Sequence, residues 1–167
     1  MGYVELNNTG GKDLIEGKER VLIFTEGTIL TPPSIFKHFK HTSYIPIKNT
    51  VTKITSWYQQ GAELLYLTSC KKEKNVVEIK ELLLKYKFPG QRLYYRNKGQ
   101  KYKDIVEEVM PDILIEDDCR SIGGQWQMCI TYVKPEIKER IRSIVVKEFK
   151  GVDNLPDKLL ELKYYND

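Results

Sequence analysis

The stretch Val21-Leu22-Ile23-Phe24-Thr25-Glu26-Gly27-Thr28-Ile29-Leu30 decides how this chain is read. Four apolar residues run into a polar turn, the pattern of a buried strand that ends at a working loop. Gly27 lets the backbone turn sharply or approach a ligand closely, and Thr28 sets a hydroxyl beside it. Pro32 and Pro33 keep a helix from starting at once. In open α/β sheets such strand exits are where ligands bind.

Working outward, residues 1–18 are polar and turn-rich around Asn7-Asn8-Thr9-Gly10-Gly11 and read as an N-terminal arm. Residues 19–167 read as one α/β domain, with a loop over 29–47, rich in proline and aromatics, that is long enough for a flap. Val51, Ile54, Trp57 and Tyr58 share a helical face that Gly61 stops. Leu64-Leu65-Tyr66-Leu67 is a second apolar run, ending in Thr68-Ser69. Val76, Ile79, Leu82, Leu83 and Tyr86 form another amphipathic helix, closed by Pro89-Gly90. Leu93-Tyr94-Tyr95 is a third strand, a helix follows over about 100–110, and Ile113-Leu114-Ile115 runs into Glu116-Asp117-Asp118. Trp126, Met128, Ile130 and Tyr132 alternate as in a strand, with a core-packed loop as an equal alternative. Ile144-Val145-Val146 is a fifth strand, and Leu155, Leu159 and Leu162 a last helix.

Apolar strands alternating with amphipathic helices imply a mostly parallel five-stranded sheet covered on both faces, a three-layer sandwich. Its strands then end on one edge, so Thr25-Glu26-Gly27-Thr28, Thr68-Ser69 and Glu116-Asp117-Asp118 converge there. Adjacent carboxylates repel and call for a cation such as Mg²⁺ or a lysine. Thr68 and Ser69 suit phosphate oxygens, Lys101 or Lys103 can supply positive charge, and Glu26 can act as a general acid or base.

The 167 residues suit one domain, and a net charge of +4 permits an anionic ligand without demanding nucleic acid. Both histidines, His38 and His41, lie in the flap, so histidine chemistry has to come from there. Cys70, Cys119 and Cys129 form no CxxC pair and have no histidine cluster beside them in sequence, so neither a zinc site nor a disulfide framework is expected. A reducing cytoplasm fits this cysteine usage, and no run is long and apolar enough for a membrane span.

These motifs together resemble the haloacid dehalogenase superfamily, over roughly residues 20–150. That family has a strand ending Asp-x-Asp with a following Gly-Thr, a strand ending in Thr or Ser, a lysine at a helix start, and a strand ending in paired acids. Thr68 fits the second motif, Lys103 (or Lys101) the third, and Asp117 with Asp118 the fourth. The resemblance implies a Rossmann-like sandwich with a minimal cap, Mg²⁺ held by Asp117, Asp118 and Glu26 through its backbone carbonyl, and a phosphate site drawing on Gly27, Thr28, Ser69 and Lys101. The first motif departs from the family pattern. Anchoring on Gly27-Thr28 puts Phe24 where the family has its nucleophilic Asp, and Glu26 at the second acid. A register shifted by two would make Glu26 the nucleophile, but Ile29-Leu30 then stands where Gly-Thr is expected. The expectation is a catalytically lapsed member that binds a phosphorylated small molecule or a protein partner. The alternative is a phosphohydrolase with a non-standard mechanism. A third reading, nucleic-acid binding through the basic and aromatic stretch Arg92–Lys103, trails both.

Overall fold

The computed structural model describes residues 1–6, 17–34 and 40–165. Its elements, in chain order, are β1 (Gly2–Glu5), β2 (Arg20–Phe24), β3 (Leu30–Thr31), β4 (Ile45–Pro46), α1 (Thr50–Gln59), β5 (Glu63–Leu67), α2 (Glu73–Lys85), β6 (Arg92–Tyr95), α3 (Tyr102–Val109), β7 (Ile113–Asp117), α4 (Pro135–Lys138), β8 (Arg142–Val146) and α5 (Leu159–Lys163). The main sheet runs β1-β6-β5-β2-β7-β8, with β2, β5, β6, β7 and β8 parallel and β2 at the centre. Numbered by their order along the chain, these five strands lie 3-2-1-4-5. The order reverses at β2, so the switch-point crevice opens beside its carboxyl end.

Both faces of the sheet are covered, as its unbroken apolar runs require. Val21 and Ile23 pack on one side with Leu64, Tyr66, Ile113 and Ile115 under α1, α2 and α5. Leu22 points the other way with Leu65, Leu67 and Leu114, under Ile105, Val106 and Val109 of α3. Each such side chain, wholly removed from water, contributes about 1.5–3 kcal/mol.

Two sequence readings need correction and one open alternative is decided. The arm begins as a strand: Gly2–Glu5 pairs antiparallel with β6, so among the described residues the sheet has six strands rather than five. The ring of Tyr3 lies under the Arg92 guanidinium, 4.6 Å from its centroid, and Leu6 is buried. The remainder of the arm, 7–16, lies outside the described residues. The 126–132 segment is not a strand but two short 3-10 turns, Gly124–Trp126 and Cys129–Tyr132, with Cys129 and Ile130 in the core and Trp126 and Tyr132 exposed. The last helix starts at Leu159 rather than reaching back to Leu155. In the flap, β3 and β4 pair antiparallel, and a single turn, His41–Ser43, sits before β4. His38 lies outside the described residues.

Candidate functional site

The turn after β2 is tied to its neighbours on both sides. The Thr25 N–H donates to the Leu67 carbonyl of β5 at 3.0 Å, while the Ile29 and Leu30 N–H groups close back on the Thr25 carbonyl. Gly27 has φ +84°, and a Cβ there would lie 2.7 Å from a carboxylate oxygen of Asp117. Both the backbone angle and the close approach exclude a side chain. Thr28 Oγ1 then donates to Asp117 Oδ2 at 3.1 Å. Gly27 and Thr28 therefore serve the approach of β2 to Asp117.

Glu26 turns the other way, onto the loop after β5. Its Oε1 accepts the Thr68 hydroxyl at 2.6 Å, and its Oε2 accepts the Thr25 hydroxyl at 2.5 Å and the Ser69 N–H at 3.0 Å. Thr68 Oγ1 in turn accepts the Cys70 N–H at 3.1 Å. The Cys70 thiol donates to Glu26 Oε1 at 3.3 Å and lies 3.6 Å from His41 Nε2. Burial, reinforced by the Glu26 charge, pushes that thiol up to about 12. On the far side of the imidazole, His41 Nδ1 faces Glu78 Oε2 at 3.9 Å.

The acids divide by strand alternation. Asp117, Asp118 and Glu148 bring carboxylate oxygens within 4.8 Å of one another. Burial raises the Asp117 carboxyl, against the pull of the Cys119 N–H and Thr28 hydroxyl, and the Glu148 charge raises it further. The Phe149 N–H donates to the Gly27 carbonyl at 2.8 Å, which brings the β8 exit and Glu148 up to the β2 turn. Three crowded carboxylates are a hard oxygen set and fit Mg²⁺. The Glu26 carboxylate is not among them: its oxygens are engaged across β2 with Thr68 and Ser69. Glu116 is buried on another course. It accepts the N–H groups of Cys129 at 2.6 Å and Ile130 at 2.9 Å, and burial lifts it to about 7 despite those two donors.

Between the two groups lies a cleft of about 460 Å³ whose walls include Phe24, Glu26, Ser69, Arg96, Tyr102 and Asp117. Thr68 is buried beneath it, reaching it through Glu26. The Phe24 ring meets Tyr102 edge-on at 5.2 Å, so the floor where the family resemblance expects a nucleophile is apolar. Neither expected lysine lines this cleft. Lys101 is exposed, and Lys103 Nζ lies 3.5 Å from both Asp104 and Glu107, beside a neighbouring groove. Among the described residues, the cation on the cleft wall is Arg96, stacked 3.6 Å over the Tyr102 ring and donating to its hydroxyl at 2.9 Å. Sequence reasoning missed Arg96 as a cleft residue, and Glu148 altogether. Arg96 follows the third strand as Thr68 follows the second, and Glu148 follows the fifth as Asp117 ends the fourth. The strand-exit rule would have found both.

No family model and no curated protein matches this chain. Solved structures do. A chain of the "Pnkp1/Rnl/Hen1 complex" aligns with TM-score 0.57 and 13% identity, over 82% of this chain and 49% of that one. A chain of the "Pnkp1/Rnl/Hen1 RNA repair complex" aligns with TM-score 0.56 and 13% identity, over 82% and 45%. A D,D-heptose 1,7-bisphosphate phosphatase from Burkholderia thailandensis aligns at TM-score 0.45 and 12% identity, over 80% and 94%. This chain spans about half the length of the first two. At that identity the likeness is one of fold: the chain shares its α/β architecture with chains of the RNA repair complex.

Proposed function

We propose that this chain is a haloacid-dehalogenase-like protein whose cleft binds a phosphorylated ligand, a small molecule or a phosphorylated segment of a partner, without hydrolysing it. One observation carries this reading: the Phe24 ring stands on the cleft floor while Glu26 takes the Thr68 hydroxyl and the Ser69 N–H. A phenyl ring has no lone pair to attack phosphorus, and loss of a covalent nucleophile costs several powers of ten in rate. Glu26 does not replace it, because Thr25 beside it and three donors of the β5 loop hold its carboxylate.

What remains is a binding geometry. Arg96 offers a fork of donors that suits a phosphate. Asp117, Asp118 and Glu148 would hold a divalent cation on the opposite wall, and such a cation supplies positive charge for a phosphate oxygen. The nucleic-acid reading is less well supported. Within 92–103, Arg92 stacks on Tyr3 and Tyr94 is buried, so these two serve the fold, while Arg96 stacks on Tyr102 at the cleft wall.

The test is calorimetry with p-nitrophenyl phosphate and Mg²⁺, run beside a turnover assay. Binding that weakens at least tenfold in Arg96→Met, with turnover at background, is the expected result. Strong Mg²⁺-dependent turnover that is abolished by Glu26→Gln would overturn it and make Glu26 the working acid.

A further inference from the structure

We propose that Glu26, His41 and Cys70 form a zinc site, distinct from the hard-cation group at Asp117. The three come from separate elements: the turn after β2, the flap, and the loop after β5. Their ligating atoms lie within 4.8 Å of one another. Zinc–sulfur and zinc–nitrogen bonds of about 2.3 and 2.05 Å, meeting at a tetrahedral angle, set sulfur and nitrogen about 3.5 Å apart, and sulfur and oxygen nearly the same. Here Cys70 Sγ lies 3.6 Å from His41 Nε2 and 3.3 Å from Glu26 Oε1. Both distances to the sulfur already match a tetrahedral ion, and the imidazole and carboxylate lie within 4.8 Å of each other.

The donor chemistry selects the metal. A thiolate, an imidazole and a carboxylate form a borderline-soft set that suits zinc and not magnesium. The supporting groups are in place as well. His41 Nδ1 lies 3.9 Å from the Glu78 carboxylate, which a small ring shift would bring to hydrogen-bond length as the orienting partner of a zinc-bound histidine. The Thr25 and Thr68 hydroxyls hold the two oxygens of Glu26 in position. On binding, the Cys70 thiol proton, now donated to Glu26, leaves to solvent and a sulfur–zinc bond takes its place. Three protein ligands leave the fourth position to water or an anion. The ion would also tie the flap, through His41, to the sheet edge.

This inference stands apart from the phosphate reading, since its test uses metal alone. Titrating the metal-free protein with Co²⁺ should show one equivalent with a thiolate-to-cobalt charge-transfer band in the near ultraviolet and the visible bands of a tetrahedral ion. The band should vanish in Cys70→Ser, persist in Cys119→Ser, and Glu78→Gln should lower affinity about 10–100-fold. Zn²⁺ should raise the melting temperature of the unaltered protein and not that of Cys70→Ser. Should Cys70→Ser fail to fold, His41→Gln, at a partly exposed position, must lose at least tenfold in affinity. Absence of the thiolate band, or its survival without Cys70 or undiminished affinity without His41, overturns the assignment.

Discussion

Replacing Glu26 by alanine is the perturbation that separates an anion pocket from a merely structural knot. In the unaltered protein a phosphate reaches Thr68 Oγ1 and the Ser69 N–H only if the carboxylate swings away from both. That forfeits hydrogen bonds to an ionised group, each worth roughly 1.5–3 kcal/mol. A carboxylate left about 4 Å from the phosphate adds repulsion of up to about 4 kcal/mol at an effective dielectric of 20, much reduced here because Glu26 is partly exposed. Allowing for solvent, the net relief in Glu26→Ala is about 2–4 kcal/mol, or roughly 30- to 1,000-fold tighter phosphate binding. Stability moves the opposite way. Thr68 is fully buried and its hydroxyl loses its acceptor, at about 1–3 kcal/mol. For a chain of this size that lowers the melting temperature by roughly 2–10 °C. Calorimetry with inorganic phosphate, in Mg²⁺ buffer free of zinc, reads the first quantity and a thermal melt the second. Glu26→Gln, neutral but still able to accept, should show part of both effects. A folded Glu26→Ala protein with unchanged phosphate affinity would refute the reasoning, because the Thr68-Ser69 corner would then not be where anions bind.

Further outcomes follow from neighbouring residues. Phe24→Asp loses the edge-on Tyr102 contact and half-buried packing, about 2–4 kcal/mol, and in the folded fraction should bring Mg²⁺-dependent turnover of p-nitrophenyl phosphate above background; a folded variant without turnover would argue against a phosphoryl-transfer scaffold. Glu116→Gln keeps one acceptor for two backbone donors and should cost about 1–3 kcal/mol in chemical denaturation, since the Cys129 or Ile130 N–H is left unpaired.

What was legible in the sequence, and what was not, divides along physical lines. The five parallel strands were readable because burial on both faces demands unbroken apolar runs such as Leu64-Leu65-Tyr66-Leu67. β1 escaped notice because an edge strand needs little apolar surface: only Tyr3 and Val4 mark it, and its partner strand supplies the rest. The alternation of Trp126 to Tyr132 left strand and core-packed loop undecided for a different reason. Its order comes from outside the segment, from Glu116 capturing two successive N–H groups. Lys103 could be placed at a helix start, but which way its ammonium turns depends on Glu107, one helical turn on. The grouping of Glu26, His41 and Cys70 is invisible to spacing rules, because three elements far apart in the chain supply one ligand each.

The same logic explains why residues expected in one cluster form two. A sheet ordered 3-2-1-4-5 gives the first strand a different neighbour on each side, β5 on one and β7 on the other. Successive residues leaving β2 can therefore serve opposite neighbours. Glu26 goes to the β5 loop, where the Thr68 hydroxyl and the Ser69 N–H receive it. Gly27 and Thr28 go to β7, where Asp117 crowds the glycine and accepts the threonine. A carboxylate at position 24, two residues before Glu26, would open onto the cleft between them, and Phe24 lines that cleft instead. If the Glu26, His41 and Cys70 set and the Asp117 set act separately on the two sides of this cleft, they hold different ions. Mg²⁺ alone should then bind the free protein weakly, weaken further in Asp117→Asn, and leave the Cys70 side untouched. Calorimetric Mg²⁺ binding that is tight, or that depends on Glu26→Gln as strongly as on Asp117→Asn, would mean the halves act as one site after all.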